Sequence, residues 1–163
     1  MPPSMFAGGV GSAGMANLYD PDWDAERDAP PFHWRRAFLA RQAGARQLGA
    51  SLFAVPPGGA TFPLHAHLAN EELVLVLAGR PTLVTPGGER ELPAGEVVAF
   101  PAGRGGAHRL ENRTDDEVRI VLVSTMLAPE VNLMLEDGTA WVRDYVPGTD
   151  PPPDAVDFRA PLP

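Results

Sequence analysis

Two residue types are missing from this sequence altogether: it has no cysteine, and all thirteen basic residues are arginine, so it has no lysine either. The first absence excludes a disulfide framework, a thiol nucleophile, an iron–sulfur cluster and a cysteine-ligated zinc site. The second excludes Schiff-base chemistry and a phosphate-loop lysine. Positive charge is scarce as well, 13 basic against 21 acidic residues for a net charge of −8, which disfavours nucleic acid or an anionic membrane surface as a partner. The longest uninterrupted apolar run, Leu73 to Ala78, is far too short to span a bilayer, and the first residues carry no positive charge. Cytoplasmic residence is therefore the expectation. What remains for difficult chemistry is four histidines, two tyrosines, carboxylates, arginines and whatever metal these can hold.

Turn formers, by contrast, are abundant: 17 glycines and 19 prolines in 163 residues. They fall as punctuation at Pro56-Pro57-Gly58-Gly59, Gly79-Arg80-Pro81, Pro86-Gly87-Gly88, Pro93-Ala94-Gly95, Pro101-Ala102-Gly103 and Asn112-Arg113-Thr114-Asp115-Asp116. Short apolar runs between such breaks indicate an antiparallel all-β sandwich or barrel. The runs predict strands over 47–55, 61–67, 73–77, 82–85, 89–92, 97–100, 108–112 and 118–124, with one more over 139–145. The only helical candidate is Pro129 to Leu135, where a glutamate follows a proline at a first-turn position. One domain is expected over 17–146, flanked by a flexible tail over 1–16, in which Met15 is an alternative start, and by an extended proline-rich arm over 147–163.

Two motifs outside the β region carry little. Gly9-Val10-Gly11-Ser12-Ala13-Gly14 has the dinucleotide-binding spacing, but no strand precedes it and no βαβ unit follows. Asp20-Pro21-Asp22-Trp23-Asp24 suggests a calcium loop, yet Ala25 stands where that loop needs glycine and Pro31 where it needs glutamate.

The chemistry concentrates in His65 and His67. Separated by one residue in a strand, they face the same way with Cα atoms ~6.6 Å apart, which lets both imidazoles reach one ion. Glu71 and Glu72 follow, and His108 opens a later strand after a glycine-rich turn. Three imidazoles and a carboxylate suit a divalent transition metal. The same histidines could serve instead as polar residues on a solvated barrel face. Alternation alone does not choose between the two glutamates, because Glu72-Val74-Val76 and Glu71-Leu73-Leu75-Leu77 both make plausible inward faces.

Over residues 59–112 the spacing resembles the two motifs of the cupin superfamily. Gly59, His65, His67, Glu72 and Gly79 match the first, and Gly95, Pro101, Gly103, His108 and Asn112 match the second. The departure is four residues rather than two between Gly103 and His108, an insertion in a turn, where extra length costs little. The resemblance implies a double-stranded β-helix barrel, a jelly-roll-like small single-domain bacterial cupin of a branch sometimes labelled sugar-phosphate isomerase-like. It also implies metal ligation by His65, His67, Glu72 and His108, which selects Glu72 over Glu71. Asn112 is expected to cap a turn, and Gly79, Gly95 and Gly103 to take positive φ.

Four protein ligands on a six-coordinate iron, manganese, nickel or zinc ion leave two positions for a small oxygen-rich or anionic metabolite, with isomerase- or dioxygenase-type chemistry as the expectation. The alternative is a non-catalytic small-ligand-binding or sensor cupin. No general base declares itself. Arg104, in the inserted turn, is a candidate for gripping a substrate phosphate or carboxylate. A homodimer is expected, with the stretch from Asn17 to Arg36 and the proline-rich end as candidates to cross between subunits.

Overall fold

A computed structural model describes residues 14–162. The Gly9–Gly14 motif, but for its last glycine, and the tail before residue 14 lie outside the described residues. The elements run β1 (Ala25–Ala29), β2 (Phe32–Ala37), α1 (Leu39–Gln42), β3 (Leu48–Val55), β4 (His65–His67), β5 (Glu72–Ala78), β6 (Thr82–Thr85), β7 (Gly88–Glu91), β8 (Val97–Phe100), β9 (Arg109–Glu111), β10 (Val118–Thr125), β11 (Glu130–Met134), β12 (Thr139–Arg143) and β13 (Asp157–Pro161). A 3₁₀ turn, Arg104–Gly106, precedes β9. Every strand pairing is antiparallel, in a six-stranded sheet ordered β1-β2-β3-β10-β5-β8, a four-stranded sheet β13-β12-β11-β4 and a three-stranded sheet β7-β6-β9. The fold is the all-β barrel expected.

The long strands β3, β5 and β10 are apolar on both faces because both faces are covered. Inward, Phe53, Val55, Val74, Val76, Phe100, Val118, Ile120 and Leu122 meet Leu83, Leu92 and Leu110 in the main core. Outward, Leu52 and Val121 pack with Ala37 and Leu39, and Trp23 and Leu75 join them. Each buried side chain of this size contributes roughly 1.5–3 kcal/mol. The N-terminal segment thus covers the sheet's outer face.

Two expectations need correction. Pro129 to Leu135 is not helical: Glu130–Met134 is strand β11, paired with both β12 and β4. Its isolated polar residues are buried inward, where they meet partners on β4. The predicted strand over 61–67 is reduced to His65–His67, joined to His108 by a single bridge. The sequence reading missed β1, β2 and α1, whose charged residues hide their period. Asp24 accepts hydrogen bonds from the Phe38 N–H at 2.6 Å and from Gln42 Nε2 at 2.8 Å, anchoring the start of α1. At the other end, proline-rich residues supply an edge strand, β13, where a terminal Pro161 leaves no interior ladder bond unmade.

The turn that delivers His108 depends on two glycines. Gly103 has φ 101° and ψ 177°, a region essentially reserved for glycine, and its N–H donates to the His67 carbonyl at 2.7 Å. At Gly106 the constraint is space: an added Cβ would lie 2.0 Å from the Pro101 carbonyl oxygen. Gly105, between them, has nothing within 4 Å of a Cβ. Gly106→Ala should therefore destabilise the protein by about 2 kcal/mol or more while Gly105→Ala stays within about 0.5 kcal/mol. Urea unfolding of both variants checks this, and equal midpoints would contradict the account.

Candidate metal centre

The register settles which glutamate faces inward. Glu72 pairs with Ser124 and Phe100, two residues from Val74 and four from Val76, both in the inner core. Glu71 is exposed, and its N–H bonds to Thr125 Oγ1 at 3.1 Å. On β4, Ala66 points away into a small apolar cluster, leaving His65 and His67 on the inner side. Ligand atoms of His65, His67 and Glu72 all lie within 4.8 Å of one another. His108 joins them: its Nε2 is 3.3 Å from Glu72 Oε2, and its ring centroid is 4.9 Å from that of His65.

Each imidazole is held from behind. His65 Nδ1 donates to the Pro63 carbonyl at 2.8 Å and His108 Nδ1 to the Gly106 carbonyl at 2.9 Å. His67 Nδ1 lies 3.2 Å from Glu130 Oε2. An acceptor at Nδ1 fixes the tautomer and turns the Nε2 lone pair to the opposite side, the arrangement a metal-ligating histidine needs. Phe100 stacks on His108 at 3.7 Å between centroids and 10° between planes, and Phe62 meets the His65 ring at 5.9 Å. Ring orientation is thereby tied to the apolar core.

Glu130 was not anticipated from the sequence. Fully buried, it accepts from the N–H groups of Leu68 (3.1 Å), Ala69 (3.2 Å) and Val131 (2.8 Å), and Asn70 Nδ2 also donates to it. Beside it, Asn132 Nδ2 stands 2.8 Å from His67 Nδ1, with its Oδ1 taken by Arg143. That amide can donate to Nδ1 only when the nitrogen is bare, whereas the Glu130 carboxylate, an acceptor alone, favours a protonated Nδ1. A glutamate opening the run Val131-Asn132-Leu133-Met134-Leu135 was the available signal, and the preceding proline gave it a helical reading.

These contacts polarise the site. Burial opposes a charge on Glu72, but the His108 and His67 rings, with Nε2 atoms 3.3 and 3.2 Å from Oε2, outweigh it and hold the carboxyl well below its usual range. Burial likewise opposes charge on His67, yet Glu130 and Glu72 raise its pKa to about 9. His65, desolvated and beside two other imidazoles, falls to about 4 and stays neutral at pH 7. Burial is again overcome at Glu130, where His67, Asn70 and the Ala69 N–H lower the carboxyl to about 2.

The residues fit a divalent transition metal. Glu72 Oε2 is buried and makes no hydrogen bond of good geometry, while two imidazole nitrogens stand 3.2 and 3.3 Å from it. Ligands at right angles on bonds of ~2.1 Å are separated by ~3 Å. Of the other expected residues, Asn112 caps a turn, donating to the Val55 carbonyl at 2.9 Å and the Asp116 carbonyl at 2.7 Å, and Gly79, Gly95 and Gly103 have positive φ. Arg104 is exposed on its 3₁₀ turn.

Comparison with known proteins agrees with the fold. The family model for the Cupin domain matches residues 51–124. A cupin-superfamily sugar phosphate isomerase from Silicibacter pomeroyi DSS-3 superposes with a TM-score of 0.74 at 24% identity, covering 91% of this chain and 96% of its own. A protein from Acidithiobacillus ferrooxidans ATCC 23270, assigned provisionally to the same activity, gives 0.69 at 23% identity over 75% and 78% of the two chains. The polyketide cyclase RemF from Streptomyces resistomycificus gives 0.54 at 28% identity over 64% and 74%. No curated protein sequence matches the chain.

In the metal-free protein His67 binds its proton more tightly folded, at about 9, than unfolded, at ~6.5. That stabilisation is complete below pH ~6.5 and is lost as pH rises through about 9, by at most ~1.4 kcal/mol per pH unit. The lowered carboxyls act at the other end: their contribution is present above pH ~4.5 and lost on acidification. Urea unfolding of metal-free protein should show a decline between pH 6.5 and 9 that His67→Ala flattens. Equal wild-type stability at both pH values would contradict this.

Proposed function

This chain belongs to the cupin superfamily, its cupin domain spanning residues 51–124, and we propose that it holds one divalent transition-metal ion through His65, His67, Glu72 and His108. Its substrate is a small oxygen-rich or anionic metabolite that chelates the ion, for isomerase- or dioxygenase-type chemistry. The observation that carries this reading is the ungratified Glu72 Oε2 facing three oriented imidazoles. Iron, manganese, nickel and zinc all suit this donor set.

A bound ion supplies Lewis acidity toward a chelated oxygen pair. The protein residues have complementary tasks. With the ion bound, His65, His67 and His108 would offer it bare Nε2 atoms, Glu72 would bring the ligands' single negative charge, and Glu130 keeps His67 turned inward. Phe62 and Phe100 line the imidazoles with apolar surface, which limits water around the ligands. Glu130 is committed to backbone and side-chain donors, and Glu72 to the ion. Neither carboxylate is free as a general base, and that favours the second reading, a binding or sensor cupin, if turnover is not found. The designation of the Silicibacter protein supports including sugar phosphates among the candidates.

Protein purified without added metal should contain a substoichiometric to full equivalent of one transition metal and take up the remainder on titration. Less than about a tenth of an equivalent, with no uptake, would sink the proposal. Chelation should lower Tm, because an ion bound only by the folded state stabilises it. Glu130→Gln should weaken metal affinity by roughly 10–100-fold. Uptake must displace the His67 proton, so affinity should rise about tenfold per pH unit up to about 9.

Oxygen consumption and product analysis against diols, diketones and sugar phosphates separates the chemistries. Product with oxygen uptake identifies the dioxygenase, and product without it the isomerase. Tight binding with neither identifies the sensor.

A further inference from the structure

Strand β2 sends one charged side chain into the interior. Arg36 pairs in register with Phe53, an inner core residue, and Trp34, two positions earlier, packs on the same core, so alternation turns Arg36 inward. Its guanidinium carbon lies 4.4 Å from the Phe38 ring centroid and 4.9 Å from that of Phe53. Its Nη2 donates to Ser51 Oγ at 2.9 Å. Across the sheet Ser51 shares a row with Leu122 and Val74, and the next inward-facing row is Gly49, Ser124 and Glu72. Two strand spacings, ~10 Å, separate β3 from β5. The guanidinium therefore lies across the inner face from Glu72.

This arginine lacks a counter-ion. Its flanking arginines have theirs, Arg35 with Glu117 and Arg41 with Asp24, but no carboxylate among the described residues pairs with Arg36. Glu72, across the inner face, and to a smaller extent Asp24 offset its charge without pairing with it, and Asp24 is occupied by the Phe38 N–H and Gln42. Arg36 Nε is buried with no hydrogen-bond partner. Burial lowers the pKa only to about 10, so the group is charged at neutral pH. A desolvated guanidinium held against two aromatic rings with its Nε–H unpaired has the donor geometry that a planar or tetrahedral oxyanion takes up.

We propose that Arg36, supported by Ser51, binds the anionic group, carboxylate or phosphate, of a two-ended metabolite whose other end chelates the metal. The second half rests on the metal-site reading above, and the first stands without it. Arg36 thereby narrows the substrate to small oxygen-rich molecules carrying an anionic terminus. It also places anion recognition on β2, outside the motif region, rather than on the exposed Arg104.

The test is calorimetric titration of inorganic phosphate and of acetate into the full-length protein, as purified and after chelation. At least one anion should bind with a roughly millimolar or tighter dissociation constant, to chelated protein as well. Arg36→Met should weaken it at least about tenfold in the chelated protein, with metal stoichiometry unchanged. Arg36→Lys keeps the charge but loses the fork, so a loss of at least about threefold is expected, and this variant carries the test if the methionine variant does not fold. Preference for phosphate or acetate distinguishes a phosphorylated from a carboxylate substrate. Wild-type affinity in the variants, or no binding of either anion to wild type, overturns the proposal. Absence of metal binding with Arg36-dependent anion binding intact contradicts the metal-site reading and leaves this one supported.

Discussion

The whole site hangs on the burial of one carboxylate. Glu130 sits at the start of β11 and accepts hydrogen bonds from the backbone of Leu68 and Ala69 and the side chain of Asn70. It therefore ties the segment between β4 and β5 to a third strand. That segment joins the two halves of the centre, His65 and His67 on one side and Glu72 on the other. A buried carboxylate must find donors for its oxygens or lose several kcal/mol, so the loop has few alternatives. The same carboxylate faces His67 Nδ1, and one group thus sets both the loop's path and the imidazole's direction. Asn70 extends the lock by accepting from the Leu127 N–H at 2.7 Å.

Around this anchor the barrel supplies rigidity and a polarised interior. The pairing of β5 with β10 and β8 fixes the inward direction of Glu72, and Phe100 holds His108 by stacking. Inside an apolar wall, charges interact more strongly than in water. The wall is unequally charged: the histidine and glutamate cluster occupies one part of it, and an unpaired arginine another. With the metal and anion sites proposed above, such an interior would select by shape and charge together. Few other groups are then needed to orient a small molecule.

Sequence reasoning found the strands that alternate or run apolar between turns, and the histidine pair whose spacing has a direct geometric consequence. It stopped where the deciding information is non-local. Glu71 and Glu72 are equivalent until the pairing of β5 with β10 assigns the inner face. Glu130 looks like a helix-start residue until β4 is laid beside it. Strands β1 and β2 were missed because Ala25-Glu26-Arg27-Asp28-Ala29 is exposed along most of its length and has no apolar face to betray its period. Arg36 escaped notice for a related reason: an arginine in a charged stretch reads as surface, and only its register with Phe53 turns it inward. The inserted turn before His108 was legible as a departure in spacing, but not the close approach of Gly106 to the Pro101 carbonyl.

The central claim is that three imidazoles and Glu72 converge on one ion. Anomalous diffraction from crystals of the metal-loaded protein, collected at the metal's absorption edge, tests it most directly. A single strong peak is expected ~2.0–2.2 Å from the Nε2 atoms of His65, His67 and His108 and from a carboxylate oxygen of Glu72. A peak held by other residues, or none at saturating metal, would contradict it.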